Sequence, residues 1–345
     1  MNINPLISIC IPSYNGAETI SKTLDVIIPQ LSEKFEIIIC DDCSTDATLN
    51  IAENYQLKFN SIKVFKNNKN LGMDKNFHRT TQLASGKFIW FCGQDDLLEE
   101  GVLSQAVKML TENIDIGILN LNFSQYDHNM VNCITPSYFD LCSFDKKKIR
   151  SNKELYFSTP EEYYNIFTQP PSFLPSVVML REYWDMTNID IFKGTYFIQV
   201  GVLLMNMHLK GIGVFTTPLI KGRIPDDQWQ SDGNKLFSVM TGELKAKKIA
   251  FTSNSYLPFN IFERDKIRYV LNFIFMFYAC KKKNMVMTNE KKSMVEFVFK
   301  DYPLSNLYLK LVMNSPIILL TAIYYPLVMV KKILFKFSSI RNLRY

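Results

Sequence analysis

The feature that most restricts how this chain can fold is a fourfold alternation, within its first hundred residues, of short apolar runs with stretches of helical spacing. Residues 6–12, 35–40, 62–65 and 88–92 are apolar runs of strand length; residues 18–31, 46–55 and 74–84 separate them, with Ile20, Leu24, Ile27 and Ile28 on one face of the first. Continuous rather than alternating apolar character suits strands covered on both faces. No hairpin turn joins one run to the next. The pattern therefore predicts an α/β fold, a Rossmann-like, mostly parallel sheet flanked by helices and joined by right-handed crossovers.

A polar cluster follows each run, and in such sheets ligands sit beyond the carboxyl ends of the strands. After the first come Tyr14, Asn15 and Gly16, and after the second Asp41, Asp42, Ser44 and Asp46. Asp41 and Asp42 could accept from a pyrimidine amine or imide and from a ribose hydroxyl. Ser44 and Asp46 serve equally as a turn and a helix cap. Asn70 and Gly72 allow a positive φ and close backbone approach, which would bring Lys75 to a diphosphate. The fourth run stops at Asp95 and Asp96. Two facing carboxylates repel unless a cation or proton intervenes, so an oxygen-liking divalent ion, Mn²⁺ or Mg²⁺, is a natural third member. Asp96 is also a competent helix cap ahead of Leu97. No glycine-rich phosphate loop is present, which leaves ATP, GTP and NAD chemistry unsupported.

Seven scattered cysteines, including the Cys40-x-x-Cys43 pair, suit reduced thiols in a cytosolic protein better than a disulfide framework. The N-terminus lacks the basic and apolar regions of a signal peptide. Residues 281–345 hold 12 Lys or Arg against 3 acids in a chain of net charge +6, so the basic excess belongs to the tail. Within it, residues 311–330 are almost wholly apolar but interrupted by Pro316 and Pro326, and Lys331, Lys332, Lys336, Arg341 and Arg344 follow. An in-plane anchor on the inner face of the cytoplasmic membrane explains both features; nucleic acid is not an expected partner.

The runs Ile-Ser-Ile-Cys-Ile-Pro-Ser-Tyr-Asn-Gly, Glu-Ile-Ile-Ile-Cys-Asp-Asp-Cys-Ser-Thr-Asp, Asn-Leu-Gly and Ala-Ser-Gly-Lys-Phe-Ile-Trp-Phe-Cys-Gly-Gln-Asp-Asp together resemble the family 2 glycosyltransferases of GT-A fold. Their length, the segment from Asn70 to Phe77, and Trp184-Asp185 most resemble the O-antigen transferases of abequosyltransferase type. The resemblance implies that Pro12, Tyr14, Asn15, Glu18, Asp41, Asp42 and Ser44 hold the nucleotide of a CDP-, UDP- or dTDP-linked sugar. It also implies that Asp95 binds the metal bridging the donor diphosphate, with Asp96 facing the donor sugar. Two departures stand out. Gly93 occupies the first position of the family's Asp-x-Asp motif, and Gln199 and Val200 occupy the positions of its Glu-Asp pair, which carries the catalytic base.

Asp190, Asp226 and Asp227 are the remaining candidates for a base, and Arg223 for a diphosphate clamp. His78 and His208 read as satisfied structural histidines. Residues 113–160 read as a polar acceptor-side insertion, residues 170–175 as a loop feeding a strand, 196–209 as an apolar core helix, and 235–300 as helical. The expected organisation is a glycosyltransferase domain over 1–225 (donor half 1–110, acceptor half 111–225), a helical extension over 226–310 and a membrane-associating tail over 311–345. The expected activity is transfer of a sugar, dideoxyhexoses included, from a nucleotide donor to a lipid-linked oligosaccharide in O-antigen or related surface polysaccharide assembly. A catalytically inactive nucleotide- or glycan-binding protein of the same fold is the alternative.

Overall fold

A computed structural model describes residues 4–113, 115–224, 232–257, 266–300, 309–310 and 312–316. Asp226, Asp227 and nearly all of the tail lie outside the described residues. The chain divides into two compact units, residues 1–193 with 197–224 and residues 194–196 with 225–345.

In the first unit the expected alternation is present as β1 (Ile7–Ser13), α1 (Ile20–Ile27), β2 (Phe35–Asp41), α2 (Thr48–Lys58), β3 (Ile62–Lys66), α3 (Met73–Leu83) and β4 (Phe88–Phe91). Strands β1 to β4 pair in parallel, in the spatial order β3-β2-β1-β4. Every residue of β2 and β4 is buried, as continuous apolar runs require. The sheet then continues through β9 (Val177–Leu180), β6 (Ile116–Tyr126), β10 (Gly211–Arg223) and the two-residue β5 (Leu97–Leu98). Two short strands, β7 (Cys133–Thr135) and β8 (Glu154–Phe157), pair with β6 and β10. The result is a mostly parallel GT-A-type sheet.

Two expectations are corrected here. Asp96 does not cap a helix: β5 follows it, and α4 (Val102–Glu112) starts only after Gly101. The segment 113–160 is not chiefly an insertion either, since β6 runs through the middle of the sheet with nine of its eleven residues buried. Its polar residues hydrogen-bond internally: the Asn120 amide N–H donates to the Tyr163 hydroxyl (2.9 Å), although its Oδ1 is buried without a partner, and the Asn122 amide donates to Ser137 Oγ (2.9 Å). The strand at 177–180 and the buried helix Ile198–Asn206 stand where the apolar runs place them. All seven cysteines are free thiols.

The second unit is helical among its described residues: Gly233–Ser253, Lys266–Lys282 and Asn289–Phe299. Asp232 and Thr288 cap the first and third through their side chains. Phe237, Phe273 and Phe277 meet in ring contacts, with Phe299 against Phe273 at 5.4 Å. Buried Lys248 is tolerated because its ammonium donates to the Val298 carbonyl (2.9 Å). Among the described residues no helix is long and apolar enough to cross a membrane.

Candidate active site

Strand direction decides where chemistry can gather. β9 is antiparallel to β4 and to β6, and β10 is parallel to β6. Strands β1 to β4, β6 and β10 therefore end at one edge, which carries Ser13, Asp41, Lys66, Phe91, Tyr126 and Arg223 and the loops that follow the first four.

The loops after β1, β2 and β3 are tied to one another by their own polar atoms. Asn15 has φ 49°; its N–H donates to Ser44 Oγ (3.0 Å) and its Oδ1 accepts from the Thr45 N–H (2.9 Å). Buried Asp41 accepts from the Ser44 N–H (3.0 Å) and hydroxyl. Buried Asp42 accepts from the Asn67 amide (2.7 Å) and from the N–H groups of Leu71 (2.8 Å) and Gly72 (2.9 Å). Gly72 has φ 82°, a conformation open to glycine, and its N–H also reaches Asn70 Oδ1 (2.9 Å). Asp41 and Asp42 thus fix the shape of the loops. Pro12 is half-buried near the end of β1, while Tyr14, Glu18, Asn70 and Lys75 are exposed.

The acidic loop is anchored on three sides. Gln94, which motif reading passed over, accepts from the Tyr14 N–H and donates to the Tyr14 carbonyl, both at 3.1 Å. Thr23 on α1 donates to the Asp96 carbonyl (3.0 Å). Arg223, at the end of β10, donates its N–H to Asp96 Oδ1 (3.1 Å) and its Nε–H to the Asp95 carbonyl (3.2 Å), and its guanidinium reaches the His128 carbonyl. Arg223 thus holds the loop by its backbone while its charge stands beside both carboxylates. Gly93 explains how the carboxylates fit. A Cβ there would lie 2.4 Å from Asp96 Oδ2 and 2.9 Å from Asp95 Oδ1, so both oxygens turn into the space that the absent side chain leaves.

Burial pushes both carboxyls above the usual carboxylate range; for Asp96 the charge of Asp95 adds to the rise, and for Asp95 the guanidinium of Arg223 opposes it. A cation would reverse that penalty. Among the described residues no three His, Cys, Asp or Glu side chains converge as a metal cage. A pair of carboxylates nevertheless fits an ion that takes one or two protein oxygens and completes its shell with water and substrate phosphates, the habit of Mg²⁺.

Beyond that loop Phe173, which precedes β9, packs on Phe123 (4.3 Å between centroids), which also stacks on Tyr138 (4.4 Å). Gln199 and Val200 lie in the first turn of the helix Ile198–Asn206, both buried, and supply no proton acceptor of carboxylate type. Asp190 stands elsewhere, in a 3₁₀ turn, exposed and ion-paired with Lys193. His78 departs from expectation: its Nδ1 is buried without a partner.

Residues 8–164 match the sequence profile of glycosyl transferase family 2. The chain carries a family 2 glycosyltransferase domain. It is 29% identical over 239 residues to the abequosyltransferase RfbV of Salmonella typhimurium, covering 66% of this chain and 69% of that one. It is 28% identical over 127 residues to the Escherichia coli UDP-Glc:alpha-D-GlcNAc-diphosphoundecaprenol beta-1,3-glucosyltransferase WfgD, covering 37% of this chain and 47% of the relative. Both relatives are glycosyltransferases, and this chain is a glycosyltransferase. Two solved structures share the fold. TarS 1–349 of S. aureus, in complex with UDP-GlcNAc, superposes with a TM-score of 0.57 at 16% identity, over 87% of this chain and 81% of that one. The mannosyltransferase PcManGT of Pyrobaculum calidifontis, in complex with GDP-Man and Mn²⁺, gives 0.54 at 14% identity, over 96% and 88%.

Proposed function

We propose that the protein transfers a sugar from a nucleoside diphosphate donor to a lipid-linked oligosaccharide, at the sheet edge where Asp95 and Asp96 meet the loops of Tyr14 and Asp42. The observation that carries this reading is the convergence of a half-buried and a buried carboxylate, Asp95 and Asp96, given room by Gly93 and flanked by Arg223, beside loops whose backbone is already pinned. A CDP-, UDP- or dTDP-linked donor would lie with its nucleotide along residues 12–18, 41–44 and 70–75. Asp95 would hold the divalent ion, Mn²⁺ or Mg²⁺, and Asp96 would stay fixed against the N–H of Arg223. Mn²⁺ in the mannosyltransferase complex and the lipid diphosphate in the name of the E. coli relative support the metal and the acceptor class.

When bound, the ion neutralises charge developing on the leaving diphosphate as a Lewis acid. The chain's own part is positioning: Gln94 and Thr23 keep the acidic loop from shifting, and Arg223 places a fixed cation beside it. We assign no general base among the described residues. Asp190 is engaged with Lys193, and Asp226 and Asp227 fall outside them. If the leaving phosphate takes the acceptor proton, the anomeric configuration of the product is retained, and NMR of that product decides the point.

The test is transfer and Mn²⁺-stimulated donor hydrolysis across a panel of nucleotide sugars. Asp95→Asn should cut turnover at least about 10²-fold, the scale for losing one preorganised electrostatic element, while the donor still raises the thermal unfolding midpoint. A wild-type protein that binds donors yet neither transfers nor hydrolyses would overturn the reading in favour of a silent binding protein.

A further inference from the structure

A second concavity lies on the flank of α3. It holds about 360 Å³ and is lined by His78, Thr81 and Gln82 from the helix, and by Trp184, Asp185 and residues 187–190 from the segment after β9. The acidic edge is elsewhere. α3 starts at that edge, where Asp42 holds Gly72, and descends towards the opposite one, where the Arg181 N–H meets the Lys87 carbonyl (2.9 Å) just before β4 begins. The pocket takes its helix residues from the middle and last turns of α3.

Two buried polar atoms belonging to the lining have no partner: Nε1 of Trp184, whose side chain is only 3% exposed, and Nδ1 of His78. A buried donor left without an acceptor is costly, and each such group calls for a partner such as a water or a ligand. The charges around them cancel. Asp185 pairs with Arg181 (3.9 Å) and Asp190 with Lys193, so neither an anion nor a cation is favoured. Burial and the ammonium of Lys193 lower the pKa of His78, against the pull of Asp190 and Asp185, so near neutrality its ring adds no charge. The residues around it carry an indole N–H and an imidazole nitrogen, both closed to solvent until the lining side chains part, together with amides and hydroxyls around one aromatic and one aliphatic side chain, Trp184 and Ile189. An uncharged ligand that both donates and accepts from many oxygens, with an apolar carbon face, complements that set.

We infer that this pocket is a second saccharide site, holding an uncharged sugar unit away from the reaction edge. It rests on the transferase reading only for why glycan would be at hand. Trp184 gives the site a reporter, because its ring also packs on Phe91 at the end of β4 (5.4 Å) and so stays fixed.

The full-length protein labelled with ¹⁵N-tryptophan should show indole resonances for Trp90, Trp184 and Trp229, with Trp184→Phe assigning one. Titration with glucose, galactose, mannose, rhamnose and N-acetylglucosamine should move the Trp184 resonance saturably in the millimolar range for at least one sugar. Trp90, whose indole donates to the Pro175 carbonyl (2.8 Å), should stay in place. His78→Phe and Asn188→Ala, checked for an unchanged unfolding midpoint, should each weaken the response about tenfold, the scale of one lost hydrogen bond. Asp95→Asn should leave it intact, which separates this site from the reaction. A Trp184 resonance that no sugar moves, or that moves equally in the pocket variants, would overturn the inference.

Discussion

At Gly93 the chain lacks a side chain where its family carries a carboxylate, and the consequence is steric before it is electrostatic. Asp95 and Asp96 have turned into the vacated space, so an acid reinstated at position 93 would meet Asp96 at 2.4 Å. Gly93→Asp is therefore expected to lower transfer, on the order of 10²-fold for a displaced reacting geometry, rather than to improve metal binding. Steady-state kinetics at varied Mn²⁺ would check this. A gain in activity would mean that the loop relaxes freely. A second residue, Glu36, works at the other edge of the sheet. It accepts from Ser8 (2.6 Å), Lys63 (2.8 Å) and the Ser85 N–H (2.6 Å). Burial raises its pKa, yet these donors outweigh burial and hold the carboxyl below the usual range. Its stabilising contribution is then complete above the ordinary glutamate value of about 4.3 and is lost as the pH falls through the lower folded value. Glu36→Gln should destabilise by about 1–3 kcal/mol at neutral pH. The gap in unfolding midpoint from wild type should narrow in acid.

At the scale of elements, the first half of the sheet was legible because β1, β2 and β4 are uninterrupted apolar runs, each followed by a turn cluster at its carboxyl end. β6 was not, because Asn120, Asn122 and Ser124 dilute its apolar character, and only a neighbouring strand or helix reveals that they are hydrogen-bonded inside. β10 hid for another reason. Thr216, Thr217 and Pro218 break it, and the sheet absorbs them as a register shift between Phe215 and Ile220. The site divides the same way. Acids, glycines and Arg223 could be named from spacing, whereas Gln94 and Thr23 act through contacts with residues far along the chain and leave no local mark. His78 looked ordinary in sequence, since an isolated histidine shows nothing of whether its nitrogens find partners.

At the scale of the whole molecule, the basic residues after 281 and the apolar stretch 311–330 give the chain its charge asymmetry. Deleting residues 311–345 is expected to move the protein from the membrane pellet to the soluble fraction; unchanged pelleting on anionic vesicles would remove the anchor from consideration. One further consequence follows from strand order. The acidic loop leaves β4 but lands, through Leu97 and Leu98, on β10 at the far side of the sheet, and its second carboxylate waits for an N–H that is 127 residues later in the chain. On the ribosome, the first hundred residues can emerge and fold while the centre they announce is still open on one side. Under the proposed function, competence to handle a donor would arrive only once residue 223 clears the exit tunnel, and a truncated nascent chain should not waste activated sugar.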